Sequence, residues 1–365
     1  MKTHYMDKKT TLAIKGIMLV FMFIHHFFTI PSWYVEGISY PLLANLAPVF
    51  REPLRICVPV FAFLTGYNYA FNQNKTYRYS LRKITDLLFS YWIVYIPLLA
   101  IAILLGCYKF NLTAVALEMF AISTPVMCFC WYVSFYCMTM LLLPILAKLV
   151  TGSALRDAFV LLILPTIAFE LYTAAVAGTP FAASLNKLML WFPCVTAGYL
   201  VAQHSLFESW FDKILANFRS RIAKCLFLLI IALIAFFGRT VFPGFELCRL
   251  TIFSGQSAAL RINMDILYAP LLVYSLVKLF RAAKPVFLKP FIVIGESSML
   301  MWFIHSIFFN VANEKTQRIL YWPRNPLLVL LFGLIICLLA ARLVNLPLKP
   351  LLKFKNRLVF DRKSK

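Results

Sequence analysis

The sequence predicts an all-α, polytopic membrane protein with about ten transmembrane helices and with both termini in the cytoplasm. Three observations support this: the composition is strongly apolar, long apolar windows recur along the chain, and basic residues separate those windows in an alternating pattern. Of the 365 residues, 62% are hydrophobic and 14% are charged, and the mean hydropathy is +0.81. These values lie far outside the range of soluble domains, so a bilayer is the expected surrounding.

Ten apolar windows are long enough to cross the hydrocarbon core of a bilayer. An α-helix rises about 1.5 Å per residue, so about 17 to 22 apolar residues span roughly 30 Å. The predicted spans are residues 11–30, 54–72, 85–106, 131–150, 158–177, 186–203, 223–238, 264–281, 291–311 and 326–346. The first window ends in FFTIPSWY without a small-residue cleavage site, so we expect it to be retained rather than removed as a signal peptide.

The distribution of Lys and Arg gives the predicted orientation. With the N-terminus inside, the inner segments hold 25 of these residues and the outer segments 10, and Arg342 lies within the last window. An excess of positive charge in cytoplasmic loops is the usual rule for membrane proteins. We therefore attribute the net charge of +22 to topology and not to nucleic-acid binding. Aromatic pairs fall at three predicted outer interfaces: Trp33 with Tyr34, Trp131 with Tyr132, and Tyr321 with Trp322.

The chain is expected to form a single integral membrane domain over residues 1–365, with its core at roughly 10–345 and a basic cytoplasmic tail at 347–365. Neither an internal repeat nor a low-complexity linker divides it. Nine cysteines are present, but none form a CxxC pair, and the nearest spacing, CFC at 128–130, indicates ordinary apolar packing. No metal site and no bound cofactor are therefore predicted.

The first window carries ionisable residues that a plain apolar helix does not need. It reads KGIMLVFMFIHH from residue 15 to residue 26. Eleven helical steps of about 100° place Lys15 and His26 on nearly the same side, about 16 Å apart along the axis, with His25 about 80° away. Ionisable residues inside a membrane are by default functional candidates. The structural alternative is a lysine that reaches the headgroups and a histidine that bonds a neighbouring carbonyl.

Other ionisable residues also lie within windows or at their ends. His305, in GESSMLMWFIHSIFF (295–309), lies about as deep in the ninth window as His26 does in the first, so the two imidazoles could share one layer. Glu170 lies in the middle of the fifth window without a cation one turn away, and we expect it to be protonated or paired with another helix. Arg261 and Asp265, four residues apart near an outer end, are expected to form an ion pair on one helix face.

These stretches together resemble the acyltransferase 3 family of integral membrane acyltransferases. The spacing from Lys15 to His26 fits the family signature of a basic residue, ten residues and a histidine. The segment FAFLTGY (61–67) is similar to the FFxxSG element, with Ala for the second Phe and Thr for Ser. The segment YRYSLRKITDLLFSYW (77–92) is similar to the basic segment before the third helix, although its two arginines are separated by three residues and not two.

The resemblance continues in the later helices and covers roughly residues 10–345. The similar segments are WYVSFY (131–136), WFPCVTAGYLVA (191–202) and IGESSMLMWFIHSIF (294–308). It implies transfer of an acyl group, usually acetyl, from cytoplasmic acyl-CoA as co-substrate to a hydroxyl of a carbohydrate or another cell-envelope molecule. The expected location is a bacterial plasma membrane, and the expected partners are acyl-CoA, the envelope acceptor and the lipid bilayer.

The resemblance and the ionisable residues together give candidate sites. A sugar hydroxyl is a poor nucleophile at neutral pH, and a base with an unperturbed pKa near 6.5 suits its activation. The expected catalytic residues are His26, His305 and Glu170. The expected donor-binding residues, whose charge suits the CoA phosphates, are Lys15, Arg78, Arg82 and Lys83. The expected acceptor-binding residues are Arg55, Arg249, Arg261 and Asp265.

Three alternatives remain open from the sequence. A transporter or flippase for a lipid-linked sugar or small solute could use His26, Glu170 and His305 as a proton relay, although broken helices and inverted repeats are not evident. A structural or receptor-like membrane protein leaves the histidine layer without a purpose. The other large class of membrane-bound O-acyltransferases carries its histidine in a late helix, and the signature in the first window disfavours it.

Overall fold

The structure is a computed structural model of the chain, and it describes residues 5–175, 178–251, 257–309 and 313–361. Side chains are described throughout these ranges except at residues 169–171, 173–175, 247–251, 257–261 and 313. The α-helices, in chain order, are α1 (Lys8–Phe28), α2 (Pro41–Leu54), α3 (Cys57–Ala70), α4 (Tyr77–Leu104), α5 (Leu112–Met119), α6 (Tyr132–Leu149), α7 (Ala154–Ala158), α8 (Leu164–Ala175), α9 (Ala182–Gln203), α10 (Asp212–Ala216), α11 (Arg221–Val241), α12 (Asp265–Ala282), α13 (Pro285–His305), α14 (Asn313–Leu320) and α15 (Pro326–Val359).

Shorter elements complete the described chain. Two π-helical turns lie at Phe159–Ile163 and Phe207–Phe211, and two 3₁₀ turns lie at Pro31–Trp33 and Ser306–Phe309. The strands β1 (Gly244–Thr251) and β2 (Ser257–Asn263) form an antiparallel pair.

The all-α, polytopic membrane prediction is confirmed, because every predicted window contains helix. In the described part of the chain, seven helices are long and apolar enough to cross a membrane, namely α1, α4, α6, α9, α11, α13 with its 3₁₀ extension, and α15. The other three windows hold α3 with 14 residues, the run from α7 through the π turn to α8, and α12, which carries three charged residues. The count of ten spans and the cytoplasmic termini stay predictions.

Several elements extend beyond what hydropathy indicated. The segment between the seventh and eighth predicted windows, residues 239–263, contains the paired strands β1 and β2. Helix α4 begins at Tyr77 because the Thr76 side chain accepts a hydrogen bond from the Tyr79 amide and so caps the helix before its apolar part starts. Helix α15 has 34 residues, and residues 347–359 of the predicted tail continue it.

Two compact units make up the chain, each built from separate segments. Unit 1 contains Met1–His25, Pro48–Lys75 and Ile145–Glu296, and unit 2 contains His26–Ala47, Thr76–Pro144 and Ser297–Lys365. Helices α1 and α13 each contribute to both units, since the divisions fall after His25 and after Glu296.

In unit 1, helices pack closely where glycine removes the side chain. A Cβ atom on Gly66 of α3 would lie 1.8 Å from the Val195 carbonyl oxygen of α9, and one on Gly198 of α9 would lie 2.0 Å from the Phe63 carbonyl oxygen. Small residues allow membrane helices to bring their backbones together, and packing then replaces the missing hydrophobic driving force. The pair α3 and α9 therefore forms a tightly packed centre of this unit.

In unit 2, the end of α15 is fixed to the start of α4. The Lys355 ammonium donates to the Asp86 carboxylate at 2.6 Å and to the Thr85 hydroxyl at 2.7 Å, and the Asn356 amide donates to Asp86 at 3.1 Å. Lys355 is buried, so its charge is compensated inside the unit instead of being solvated. These bonds explain why the helix continues past its apolar part.

Candidate active site

Two histidines from opposite ends of the sequence meet in unit 2. The Nδ1 atom of His26 on α1 lies 2.8 Å from the Nε2 atom of His305 at the end of α13. Their ring centroids are 5.0 Å apart and their planes differ by 6°, so the rings lie side by side. His305 is fully buried and His26 is half-buried.

A glycine crossing explains why the two histidines reach the same level. In unit 1, a Cβ atom on Gly16 would lie 2.0 Å from the Phe291 carbonyl oxygen, and one on Gly295 would lie 1.9 Å from the Leu12 carbonyl oxygen. Each glycine thus faces the carbonyl four residues before the other glycine, a reciprocal pattern that fits helices running in the same direction. His26 and His305 each follow their glycine by ten residues, so equal helical rise brings both to one layer.

The hydrogen bonds assign a tautomer to each ring. The Nδ1–H group of His305 donates to the Trp302 carbonyl oxygen, because a carbonyl can only accept. In the neutral His305 ring, Nε2 is then the acceptor, and His26 must donate to it from Nδ1. The lone pair of a neutral His26 is therefore on Nε2. A chain of this kind orients a basic imidazole, as a second hydrogen-bonded group does in catalytic triads and metal sites.

Aromatic rings line the histidine pair. The Phe129 ring stacks on His26 with centroids 4.0 Å apart and planes 14° apart, and it lies 5.5 Å from His305. Trp33 contacts both His26 and Phe129, at 6.1 Å and 5.1 Å between centroids. The Trp302 indole donates to the Phe129 carbonyl oxygen at 3.2 Å. The rings therefore hold His26 in the plane that its bond to His305 requires.

The sequence interpretation missed these aromatic residues as parts of the site. The sequence indicated an interface anchor at Trp33 and apolar packing for the CFC segment that contains Phe129. The available signal is the similarity of two segments, WYVSFY (131–136) and IGESSMLMWFIHSIF (294–308), to helices of the acyltransferase 3 family. Phe129 lies two residues before the first segment, and Trp302 lies within the second. Stacking partners cannot be read from either segment alone because they come from chain regions far apart.

The other proposed catalytic residue is Glu170. It lies in α8, and its side chain lies outside the described residues. Glu296 on α13 is exposed.

The candidate donor-binding residues fall into two groups. Lys15 is half-buried on α1 and belongs to unit 1. Arg78, Arg82 and Lys83 lie in the first two turns of α4 in unit 2.

The basic start of α4 contacts the end of the chain. Arg78 donates to the Phe360 carbonyl oxygen, and the Arg82 guanidinium lies 3.1 Å from the Asp361 carboxylate. The Lys83 ammonium lies 5.5 Å from the centre of the Tyr79 ring. The side chains of Arg82 and Asp361 are 40% and 49% exposed, so this ion pair is weak and open to exchange with another anion.

Two candidate acceptor-binding residues have described side chains, and both lie in ion pairs of unit 1. The Arg55 guanidinium bonds both oxygens of Glu52 at 2.8 Å. Asp265 is buried and bonds Arg239 twice, at 2.5 Å and 3.0 Å, and Arg239 also donates to the Glu52 carbonyl oxygen. His25 is buried near this group and bonds the backbone of Arg51.

The expected position of Arg261 and Asp265 on one helix face is wrong. It required one helix through both residues, but Arg261 lies in β2, opposite Glu246, and α12 begins at Asp265. The partner of Asp265 is Arg239 at the end of α11, a contact between separate helices that no local spacing reveals. The backbones of Arg249 and Arg261 lie in β1 and β2, and their side chains lie outside the described residues.

Among the described residues, no group of three or more His, Cys, Asp or Glu side chains is arranged to hold a metal ion.

Comparison with known proteins identifies one family. A family of acyltransferase 3 proteins, described as an acyltransferase domain, matches residues 6–345. No curated protein and no solved structure matches the chain.

Proposed function

Because this chain belongs to the acyltransferase 3 family and is a multi-pass membrane acyltransferase, we propose that it moves an acetyl group from cytoplasmic acyl-CoA to a hydroxyl of a cell-envelope glycan or sugar. We place it in a bacterial plasma membrane. The observation that carries the proposal is the hydrogen-bonded pair of His26 and His305, with its tautomers fixed by the Trp302 carbonyl.

In the proposed reaction, His26 is the general base. Its Nε2 accepts the proton of the acceptor hydroxyl while the hydroxyl oxygen attacks the thioester carbonyl carbon of the donor. The tetrahedral intermediate collapses with cleavage of the carbon–sulfur bond, and the acyl group stays on the acceptor oxygen as an ester. The His26 imidazolium then returns its proton to the departing thiolate, so the ring is neutral again for the next cycle.

His305 orients this base. Its Nε2 accepts from Nδ1–H of His26 before and after the proton transfer, so the same bond persists in both protonation states. The bond becomes stronger when His26 is charged, since hydrogen bonds to ionised groups are about twice as strong as neutral ones. Glu170 is the third residue of the proposed catalytic set, and its contribution to the transfer rate is tested by replacing it.

The remaining candidate residues are proposed to bind substrates. Donor phosphates are assigned to Lys15, Arg78, Arg82 and Lys83, because phosphate oxygens are strong acceptors for cationic donors. At Arg82 the donor would replace the exposed Asp361 carboxylate. The acceptor is assigned to Arg55, Arg249, Arg261 and Asp265.

The test uses purified protein in liposomes, acetyl-CoA with a labelled acetyl group, and an envelope glycan fraction as acceptor. Wild-type protein should transfer label to the glycan, and His26→Ala should lower the rate by about 10² to 10⁴, the usual contribution of a general base. The matched control is His204→Gln, because His204 is bonded to Asp157 in unit 1 and takes no part in the pair. Near-normal transfer by His26→Ala would refute the mechanism, and ion-coupled uptake of a sugar without label transfer would favour a carrier instead.

A further inference from the structure

A buried carboxylic acid holds the chain segment that carries Phe129. Glu118, at the end of α5 in unit 2, is completely buried. Its Oε1 atom accepts hydrogen bonds from the backbone amides of Val126 at 2.8 Å and Met127 at 2.9 Å. Two successive amides that converge on one oxygen form a specific arrangement that fixes the backbone at this point.

The same short segment leads directly to the histidine pair. The Cys130 amide donates to the Met127 carbonyl oxygen at 2.9 Å, which turns the chain around Phe129. The Phe129 carbonyl accepts from Trp302, and the Phe129 ring stacks on His26. Glu118 therefore fixes one end of the segment and Trp302 the other, with the ring that contacts the base between them.

We propose that Glu118 is a positioning residue of the active site, which holds the Phe129 ring against His26 by binding the amides of Val126 and Met127. It acts through these groups and does not touch the substrate. The inference rests on the proposed function in one respect only, namely that His26 is the catalytic base.

The environment of Glu118 favours its neutral form. Among the described residues, its second oxygen, Oε2, has no hydrogen-bond partner. Burial raises the pKa of Glu118 to about 7, and the amide bonds from Met127 and Val126 and the contact with Tyr95 only partly oppose this. The titratable groups that interact with this carboxyl are Tyr91 and Tyr95 of α4, Tyr108 of the loop that follows, and Cys128 and Cys130 of the segment itself.

The sign of the pH effect follows from this pKa. The pKa in the folded protein lies above the ordinary value of 4.5, so the fold binds this proton more tightly than the unfolded chain does. The stabilisation is complete below the ordinary pKa and is lost as the pH rises through about 7. The fold around Glu118 is therefore most stable with this carboxyl protonated, because ionisation leaves a charge buried away from water even though both amides still donate to it. The local structure that supports Phe129 is then less stable above a pH of about 7.

The test compares Glu118→Gln and Glu118→Ala by label transfer from acetyl-CoA to the envelope glycan fraction, at pH values from about 5.5 to about 9. Glutamine keeps the carbonyl oxygen for both amides and cannot ionise, so E118Q should keep kcat within about twofold at low pH and retain activity above neutral pH where the wild type declines. E118A should lower kcat by about tenfold or more at every pH, with the KM for acetyl-CoA changed less than about twofold. The control, Glu314→Gln, changes an exposed carboxylate of unit 2.

Two outcomes would overturn the inference. One is a kcat for E118A equal to that of the wild type, and the other is a pH profile for E118Q that coincides with the wild-type profile. If E118A does not fold, the pH profile of E118Q still tests the role of Glu118, because the glutamine oxygen keeps both amide bonds and the variant is expected to fold.

A second measurement separates this inference from the proposed function. Nitrogen-15 NMR of labelled histidine reports which ring nitrogen of His26 carries the proton, with no need for turnover. A change in that signal in E118A supports positioning even if His26→Ala retains transfer activity. If the signal is unchanged in E118A and His26→Ala loses activity, the positioning role of Glu118 is contradicted, while the proposed function is not.

Discussion

The hydrogen bond between His305 and His26 predicts a graded response to substitutions at position 305. In His305→Ala, the Nδ1–H group of His26 loses its acceptor and the ring loses the bond that selects its tautomer. In His305→Gln, the side-chain oxygen can still accept that bond, although the ring and its contact with the Trp302 carbonyl are lost. We therefore expect the order of activity to be wild type, then H305Q, then H305A.

The magnitude follows from the geometry of the bond. The donor–acceptor distance is 2.8 Å and His305 is fully buried, so the bond is well formed and shielded from water. A hydrogen bond to a group that becomes charged contributes about 1.5–3 kcal/mol. If it acts fully on the transition state, its loss lowers kcat by about tenfold to about 150-fold. H305Q should recover most of this loss, to within about tenfold of the wild type.

The assay is label transfer from acetyl-CoA in liposomes, with kcat and KM determined separately. The KM for acetyl-CoA should change less than about twofold, because the pair acts on the acceptor hydroxyl and not on the donor phosphates. The double variant His26→Ala with His305→Ala should be no slower than His26→Ala alone, since residues that act as one unit are not additive. An H305A enzyme with more than half the wild-type kcat, or an H305Q enzyme no faster than H305A, would refute the assignment of tautomers.

Three further predictions concern substrate entry and stability. Asp361→Asn removes the carboxylate from Arg82 and should lower the KM for acetyl-CoA by up to about fivefold at low ionic strength, with the effect lost at high salt. Asp265→Asn leaves Arg239 buried without its counter-ion and should destabilise unit 1 by about 3–5 kcal/mol, measured by thermal unfolding in detergent. Gly295→Ala places a methyl group 1.9 Å from a backbone carbonyl of α1 and should lower both thermal stability and kcat.

Two matched variants serve as controls for these three substitutions. Glu314→Gln removes an exposed carboxylate of unit 2 and should leave the KM for acetyl-CoA and the unfolding temperature unchanged. Ser297→Ala alters α13 two residues from the glycine without adding bulk and should be neutral. An unchanged KM in Asp361→Asn, an unchanged unfolding temperature in Asp265→Asn, or wild-type kcat in Gly295→Ala would each contradict the contact concerned.

Much of the fold followed from periodic and local properties of the chain. Hydropathy located helix in all ten windows, because a long run of apolar residues favours a buried or membrane-spanning helix at any position in the chain. It did not locate α2, α5 and α14, which have 14, 8 and 8 residues and are shorter than a membrane-spanning window, or the extension of α15 to Val359, which depends on contacts with α4. The hairpin β1–β2 was missed for the same reason, since each strand needs its partner.

The candidate site was only partly predictable. The sequence singled out His26 and His305 because an ionisable ring inside an apolar helix costs free energy, and its presence therefore indicates a functional residue. The partners of these rings, Phe129 and Trp302, carry no such signal, because aromatic residues are common throughout the chain. Arg261 and Asp265 show the limit of spacing arguments, which hold only when both residues lie in one helix; here Arg261 lies in β2 and α12 begins at Asp265.

The order of residues along the chain is enough to give the class of protein, the apolar segments, the charge asymmetry between them, and the equal spacing of ten residues from each glycine to its histidine. Those properties depend on composition and on helical geometry, which act along the chain. Contacts in the folded protein are needed to assign the proton on each histidine, to identify the carboxylate that neutralises Arg239, and to show that Glu118 binds the segment of Phe129. Each of these depends on directional contacts between residues far apart in sequence, and such contacts leave no local pattern.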